Sequence, residues 1–317
     1  MTDRGCGLSG AVGDEDRTYG LSDYEGAQAR WCPGCGDHSV LTAVQKLLAA
    51  EQLKPETTVF VSGIGCSSRF PHYLTTYGFH GIHGRALPVA TGIKLHRPDL
   101  DVFVVMGDGD CTSIGAGHWI HALRYNPDLT VMLLDNGIYG LTKNQTSPTT
   151  PKGLASNTQP KGSYLPPLNP LTVALGVTNA SFVAQTAEFV PSHLLATLRA
   201  AHQHRGLSFV RILQRCPIYT PGIYANAVRR PATIELLVHD DGVNVHGLET
   251  VYTQRRAHDP RDLAAARELA QSHDPIRLGL FYRDPSTTCY EVLRRVQERT
   301  ARERLTLLDA ELDRYAV

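Results

Sequence analysis

The chain has 317 residues, enough for one large α/β domain or for a domain with an appendage. Its 31 basic and 31 acidic side chains cancel, so it carries no electrostatic footprint for nucleic acid. No apolar run approaches the roughly 18 residues of a membrane helix, and the polar N-terminus lacks the apolar core of a signal peptide. A cytoplasmic location is therefore expected, and the seven cysteines are read as ligands or free thiols rather than disulfides.

Residues 1–30 are polar, glycine-rich and aperiodic, and are expected as a flexible N-terminal segment carrying Cys6 as a free thiol. Cys32-Pro33-Gly34-Cys35 then sets two thiols at C-x-x-C spacing. A helix follows from about Ser39 to Ala50, with Leu41, Val44, Leu47 and Leu48 on one buried face. Taken alone the pair favours a zinc corner, then a redox disulfide, then half of an iron–sulfur site, with His38 as a further candidate ligand. Two more cysteines shift that balance. Cys66 follows a short strand at Thr57–Val61 and Cys216 follows another at Phe209–Leu213, so both enter loops at one sheet edge.

Residues 62–100 are dense in Gly, His and Arg. Arg69 has the planar fork that suits a substrate carboxylate, although a surface arginine is an equal reading. His80 and His83 either contact a ligand or are satisfied by backbone. Residues 86–96, ALPVATGIKLH, are expected to form a helix packed on the sheet.

The segment from Val102 to Leu141 reads as a βαβ unit with polar, glycine-rich turns after both strands. The first apolar run ends in Gly107-Asp108-Gly109-Asp110, and the second in Asp135-Asn136-Gly137-Ile138-Tyr139. Glycines without a Cβ let a phosphate approach backbone N–H groups at the start of a helix. Two carboxylates beside a phosphate would repel it unless a divalent cation intervened. Mg²⁺ takes hard oxygen ligands, which Asp108, Asn136 and the Ile138 carbonyl offer. Residues 146–170 are proline-rich and expected as a long ordered loop or lid. Strand Phe182–Ala184 and helix Ser192–His204 then resume the alternation. After Cys216 the composition turns charged, and 266–273 and 290–305 read as amphipathic helices packed on the core or on a partner.

The spacing of GDG to the Asn of DNGIYG, 28 positions from Asp108 to Asn136, resembles the thiamine diphosphate motif. The flanking IGAGHWIHALRYN and IYGLTKNQ are similar to the β subunit of 2-oxoacid:ferredoxin oxidoreductases, especially the 2-oxoglutarate branch. That resemblance implies Mg²⁺ on Asp108, Asn136 and Ile138. It implies thiamine diphosphate near Gly107, Gly109, Asp110 and Thr142, with Ile64, Gly65, Cys66, Ser67, His83, Gly140 and Leu141 completing the cofactor contacts. Cys32, Cys35, Cys66 and Cys216 match the ligands of one [4Fe–4S] cluster, and Cys111 and Cys289 remain buried or free thiols. Arg69, Leu141 and Lys143 are the implied substrate contacts, and Asn144 stands where relatives have glycine, which alters the local backbone. The implied reaction is coenzyme A-dependent oxidative decarboxylation of a 2-oxoacid, 2-oxoglutarate to succinyl-CoA, with ferredoxin reduced.

Thiamine enzymes need a glutamate against the aminopyrimidine, which this family takes from an α subunit. The chain is therefore expected to be inactive alone and to work as αβ or (αβ)₂. The expected fold is α/β, a thiamine diphosphate-binding fold with a mostly parallel sheet and helices on both faces, spanning 31–220, followed by a C-terminal helical extension at 221–317. The alternatives are a cluster-free thiamine decarboxylase or synthase, a pyruvate-specific relative, and a zinc-stabilised scaffold subunit.

Overall fold

The computed structural model describes residues 17–272, 274–294 and 300–315. Cys6 and most of the expected flexible segment lie outside the described residues. Nine strands form one sheet: β1 Thr58–Ser62, β2 Tyr77–His80, β3 Asp101–Gly107, β4 Thr130–Asp135, β5 Phe182–Ala187, β6 Ser208–Leu213, β7 Ile234–Val238, β8 Gln254–Ala257 and β9 Ile276–Arg283. Their spatial order is β2-β1-β3-β4-β6-β5-β9-β7-β8, and every neighbouring pair is parallel except β5 with β9.

The central strands are apolar on both faces because both faces are covered, as a parallel sheet requires. Alternate residues of β1, β3 and β4 (Val59, Val61, Val102, Val104, Val131, Leu133) join a core under the helices α2 Ala86–His96, α3 Ala116–Tyr125, α4 Pro170–Gly176 and α7 Leu263–Gln271. The residues between them (Phe60, Phe103, Val105, Met132, Leu134) build a second core under α1 Asp37–Ala50 and α5 Pro191–Gln203. Leu41, Val44, Leu47 and Leu48 are the face α1 buries, as its periodicity predicts.

Residues 221–317 are less helical than expected. Besides α6 Ala225–Arg229, α7, α8 Tyr290–Leu293 and α9 Ala301–Asp313, they supply β7, β8 and β9, which widen the same sheet. The expectation of a helical extension missed that Ile276–Arg283 pairs antiparallel with β5, a long-range contact that local periodicity cannot reveal. The helix expected across 290–305 is two pieces, α8 and α9, starting at Tyr290 and Ala301. No described helix is long and apolar enough to cross a membrane.

Because β1, β3, β4, β5 and β6 are parallel, their carboxyl ends share one edge of the sheet. That edge is where open α/β sheets bind ligands, and it receives the SGIGC, GDGD, DNGIYG and QRCP turns together.

Candidate active site

A cavity of about 470 Å³ opens at this edge. Its wall contains all of the residues expected near the cofactor: Ile64, Gly65, Cys66 and Ser67 after β1, His83 ahead of α2, Gly107, Asp108, Gly109 and Asp110 after β3, and Asn136, Ile138, Gly140, Leu141 and Thr142 after β4. Tyr139 and Gln145 line it as well and were not among the expected site residues.

The turn after β3 is glycine-rich for a steric reason. A Cβ on Gly109 would stand 2.1 Å from the Tyr139 ring, whose hydroxyl donates to the Gly109 carbonyl at 3.1 Å. A Cβ on Gly63 would stand 2.1 Å from the Asp110 carboxylate. The backbone then enters a π-helical turn at Asp110–Ile114 before α3 begins, a distortion often found at functional sites. Asp110 ties three loops together. It accepts from the N–H of Gly84 at 2.6 Å and of Ile64 at 3.3 Å, and its Oδ1 lies 2.8 Å from His83 Nδ1. Burial pushes its carboxyl above the ordinary range, against the pull of those two N–H groups and His83.

Asp108 is 2% exposed. Its Oδ2 accepts from the Ser147 hydroxyl and from Thr149 Oγ1 at 2.7 Å. Thr149 Oγ1 also lies 2.8 Å from Asp135 Oδ1, yet one hydroxyl proton serves only one carboxylate at a time. Asp135 is held by Arg211, with Nη2 at 2.6 Å and Nε at 2.8 Å from its Oδ2. Two carboxylates and one guanidinium are thus buried together. Burial, then the neighbouring Asp135 charge, pushes the Asp108 pKa up to about 7. A cation at Asp108 would relieve that excess of negative charge. Asn136 Oδ1 accepts from the Ile138 N–H at 3.1 Å in a tight turn and keeps a second lone pair. Carboxylate, amide oxygen and carbonyl form an all-oxygen donor set, so the residues fit Mg²⁺. The glycine-floored cavity above them fits a diphosphate.

The cysteines cluster beside this cavity. Trp31 Nε1 donates to the Cys66 carbonyl at 2.6 Å, and the Gly36 N–H donates to the Arg215 carbonyl at 3.1 Å. These bonds bring the C-x-x-C loop to the loops of Cys66 and Cys216, and Gln214 Nε2 lies 3.4 Å from Cys35 Sγ. All four are free thiols. Burial pushes Cys66 up to about 12, with Asp37, Cys216 and Cys32 adding to the effect, and burial with Asp37 raises Cys35 further. The Cys66 thiol is therefore within electrostatic reach of two of its expected co-ligands. Such thiols become thiolates only beside positive charge, which bound iron supplies. Among the described residues no three His, Cys, Asp or Glu side chains converge on a point that could hold a single ion. Thiols on separate loops would hold a multi-iron cluster without meeting at a single point. The donor set fits a [4Fe–4S] group. His38 stacks edge-on against Trp31, its ring centroid 5.3 Å away. Cys111 and Cys289 are buried thiols.

The expected substrate contacts divide. Leu141 is on the cavity wall and 43% exposed. Lys143 is exposed just beyond the wall, and it and Asn144 adopt positive φ of 78° and 71°, the left-handed backbone that glycine adopts most readily. Arg69 is not on the wall. It lies against the Tyr73 ring, 5.9 Å from its centroid, in a separate cleft with Arg30 and His72. His80 is satisfied by the Ser68 carbonyl at 2.7 Å and by Ser62 Oγ at 3.1 Å. Ser147, Thr149, Asp135 and Arg211 were missed. Arg211 could have been noticed as a lone charge inside the apolar strand FVRIL, whereas Ser147 and Thr149 sit in a proline-rich loop that offers no pattern.

Comparisons with known proteins identify the binding domain and the family. Residues 63–212 match the family model described as thiamine pyrophosphate enzyme, C-terminal TPP binding domain. Residues 248–298 match the family model for the C terminal of the pyruvate ferredoxin oxidoreductase beta subunit. The 2-oxoglutarate oxidoreductase subunit KorB of Mycobacterium tuberculosis is 50% identical over 211 residues, 67% of this chain and 56% of that protein. The 2-oxoacid:ferredoxin oxidoreductase subunit beta of Saccharolobus solfataricus is 44% identical, over 60% of this chain and 62% of that protein. The chain thus spans less than two thirds of both. The 2-oxoacid:ferredoxin oxidoreductase 1, subunit beta, of Aeropyrum pernix is 37% identical over 82% of this chain and 80% of its own length. Among solved structures, the 2-oxoglutarate:ferredoxin oxidoreductase of Magnetococcus marinus, with 2-oxoglutarate, coenzyme A and succinyl-CoA bound, superposes with a TM-score of 0.74 at 34% identity, covering 94% of this chain and 92% of that one. The chain belongs to the family of 2-oxoacid:ferredoxin oxidoreductase beta subunits.

Proposed function

We propose that this chain is the cofactor-binding half of a 2-oxoacid:ferredoxin oxidoreductase that converts 2-oxoglutarate and coenzyme A to succinyl-CoA and CO₂, passing the electrons to ferredoxin. The observation that carries this reading is the position of Cys66. It lines the oxygen-donor cavity and also reaches Cys32 and Cys216 electrostatically, so one loop joins a thiamine diphosphate site to an electron outlet.

When bound, thiamine diphosphate supplies the electron sink for decarboxylation and the cluster accepts single electrons. The chain's own residues bind and orient. Asp108, Asn136 and the Ile138 carbonyl hold Mg²⁺, and the Ser147 and Thr149 hydroxyls fix the Asp108 carboxylate in place. Gly107 and Gly109 keep the floor free of side chains, and Asp110 locks the loops of Ile64 and Gly84 around it. Cys32, Cys35, Cys66 and Cys216 hold the [4Fe–4S] cluster. Leu141 and Lys143 border the entrance and contact the substrate, with the lysine suited to a second carboxylate. Arg69 joins them only if its loop turns towards the cavity. The described wall offers Asp110 and His83 but no glutamate. The α subunit is assigned that group, in an αβ or (αβ)₂ assembly in the cytoplasm.

The relatives named for 2-oxoglutarate and the bound ligands of the Magnetococcus marinus structure support the substrate. The pyruvate description of the 248–298 match keeps a pyruvate-specific reading open to test. Co-expression with the α subunit followed by coenzyme A-dependent viologen reduction separates them. The expected rate with 2-oxoglutarate exceeds that with pyruvate by about tenfold or more, which corresponds to roughly 1.4 kcal/mol of discrimination. Equal rates would contradict the substrate, and no coenzyme A-dependent rate with any 2-oxoacid would contradict the reaction.

A further inference from the structure

Strand β5 ends at Ala187, which pairs with Leu213 at the end of β6. The ladder runs one step further, because the Glu188 N–H donates to the Leu213 carbonyl at 3.0 Å. Register therefore delivers residue 188 to the start of the Gln214-Arg215-Cys216 loop, at the sheet edge that carries the cysteines. Glu188 is 0% exposed, and a carboxylate is almost never fully buried unless it is paired. Its partner is Arg215. Glu188 Oε1 accepts from the Arg215 backbone N–H at 3.4 Å and from Nε, and Oε2 accepts from Nη2 at 3.2 Å. Each carboxylate oxygen thus takes one nitrogen of the guanidinium fork, a geometry that fixes orientation as well as charge. The same guanidinium lies over the Phe189 ring, 5.8 Å from its centroid.

The pair stands between two cysteine loops. A Cβ on Gly36, the residue after Cys35, would stand 2.7 Å from Glu188 Cγ and Cδ, so the C-x-x-C loop rests directly on the glutamate. On the other side Arg215 precedes Cys216, and its carbonyl accepts from the Gly36 N–H at 3.1 Å. The Glu188 charge is felt inside this pocket, since it adds to the effect of burial on Asp37. Arg215 supplies the opposite charge at the same place.

We propose that Glu188 is a positioning residue of the electron outlet. Its ion pair with Arg215 fixes the Cys216 loop against the C-x-x-C loop and balances the guanidinium charge there, and so sets the potential at which the cluster takes electrons. This rests on the [4Fe–4S] reading of the four cysteines. Taking up an electron adds negative charge, so a nearby positive charge favours reduction and a nearby negative charge opposes it.

Redox titration of the anaerobically purified complex with the α subunit, with iron counted on the same samples, tests this. Glu188→Gln keeps the side chain's shape and removes its charge. It is expected to retain iron and to move the midpoint potential to a more positive value. Arg215→Met is expected to move the potential the other way. E188Q/R215M removes both charges and is expected to return to the wild-type value, a restoration that loss of packing would not produce. Glu188→Ala opens a gap between the loops and is expected to lose iron. Single variants at the wild-type potential, single variants shifted in the same direction, or a double variant shifted further than either would overturn the proposal. So would a full iron content in Glu188→Ala. The Arg215 side chain is 39% exposed, so Arg215→Met carries the test even where Glu188→Gln fails to hold iron. A wild-type complex without iron overturns the cluster reading and this proposal with it, whereas iron-loaded wild type whose potential ignores both charges overturns this proposal alone.

Discussion

Gly109 and Tyr139 show how little freedom the cofactor turn has. The ring occupies the space a side chain at position 109 would need, and the tyrosine hydroxyl fastens that same peptide. Gly109→Ala is therefore expected to displace the turn and to lower thiamine diphosphate affinity by about tenfold or more, measured by calorimetric titration in the presence of Mg²⁺. Asp37 has a different consequence. It is 1% exposed, and burial, against the pull of the Cys35 thiol, pushes its pKa up to about 7. Its unfolded value is near 3.8, so folding takes up a proton between those pH values. The stabilising contribution is complete below about pH 4 and is lost as pH rises through 7. Asp37→Asn is expected to remove this loss in the metal-free chain. Its stability by urea denaturation should gain on the wild type between pH 4 and 7, by at most about 1.4 kcal/mol per pH unit, and level off above. An unchanged difference across that range would show Asp37 ionised throughout. At this scale the motif residues were legible because their chemistry is unusual: glycines beside carboxylates, and thiols at fixed spacing. Asp37 was not, because an aspartate at the start of a helix reads as an ordinary first-turn acid, and only the packing of Glu188 and the cysteine loops reveals its burial.

At the scale of elements, β4 and β6 owe their join to more than a ladder. Arg211 on β6 reaches across to Asp135 on β4 and also donates to Gln185 Oε1 on β5 at 3.1 Å. Three adjacent strands are thus tied by one guanidinium beneath the cofactor turns. Arg211→Met is expected to leave Asp135 charged, buried and next to Asp108, and to cost about 3–5 kcal/mol in chemical denaturation. A change under about 1 kcal/mol would mean that water reaches Asp135. Most strands and helices of residues 37–213 were read from sequence to within a few residues, since buried parallel strands are apolar throughout and their helices show one clear face, but the exposed edge strand β2 and the short helix α4 were not read. The region beyond Cys216 was read as helical because its charged, arginine-rich segments have helical periodicity. Gln254–Ala257 is exposed at the sheet edge, and β9 gains its place only by pairing with β5. Neither fact leaves a local pattern.

For the whole molecule, the parallel sheet gathers at one edge residues as distant in sequence as Cys32 and Cys216 and sets two kinds of donor side by side. Oxygen donors after β3 and β4 face the cavity, and thiols before α1, after β1 and after β6 flank it. Their separation makes the two functions distinguishable. Asp108→Ala is expected to lower bound thiamine diphosphate by about tenfold or more and to keep the iron. Cys216→Ala is expected to lose the iron and remain folded, both measured by metal and thiamine analysis of anaerobically purified protein. That the two sites meet was foreseeable from the shared strand-to-loop position of Cys66 and Cys216. The resemblance already put Cys66 on both sides, as a cofactor contact and a cluster ligand; what the sequence could not give is its closeness to Gly140, where an added Cβ would stand 3.5 Å from the Cys66 sulfur. The most direct test is a single turnover without ferredoxin. The anaerobic complex with the α subunit is predicted to show broad absorption near ~400 nm that bleaches when 2-oxoglutarate and coenzyme A are added, because a Cys₄ iron cluster accepts the electrons. A colourless protein containing stoichiometric zinc, or a chromophore that does not bleach with any 2-oxoacid, would contradict the account.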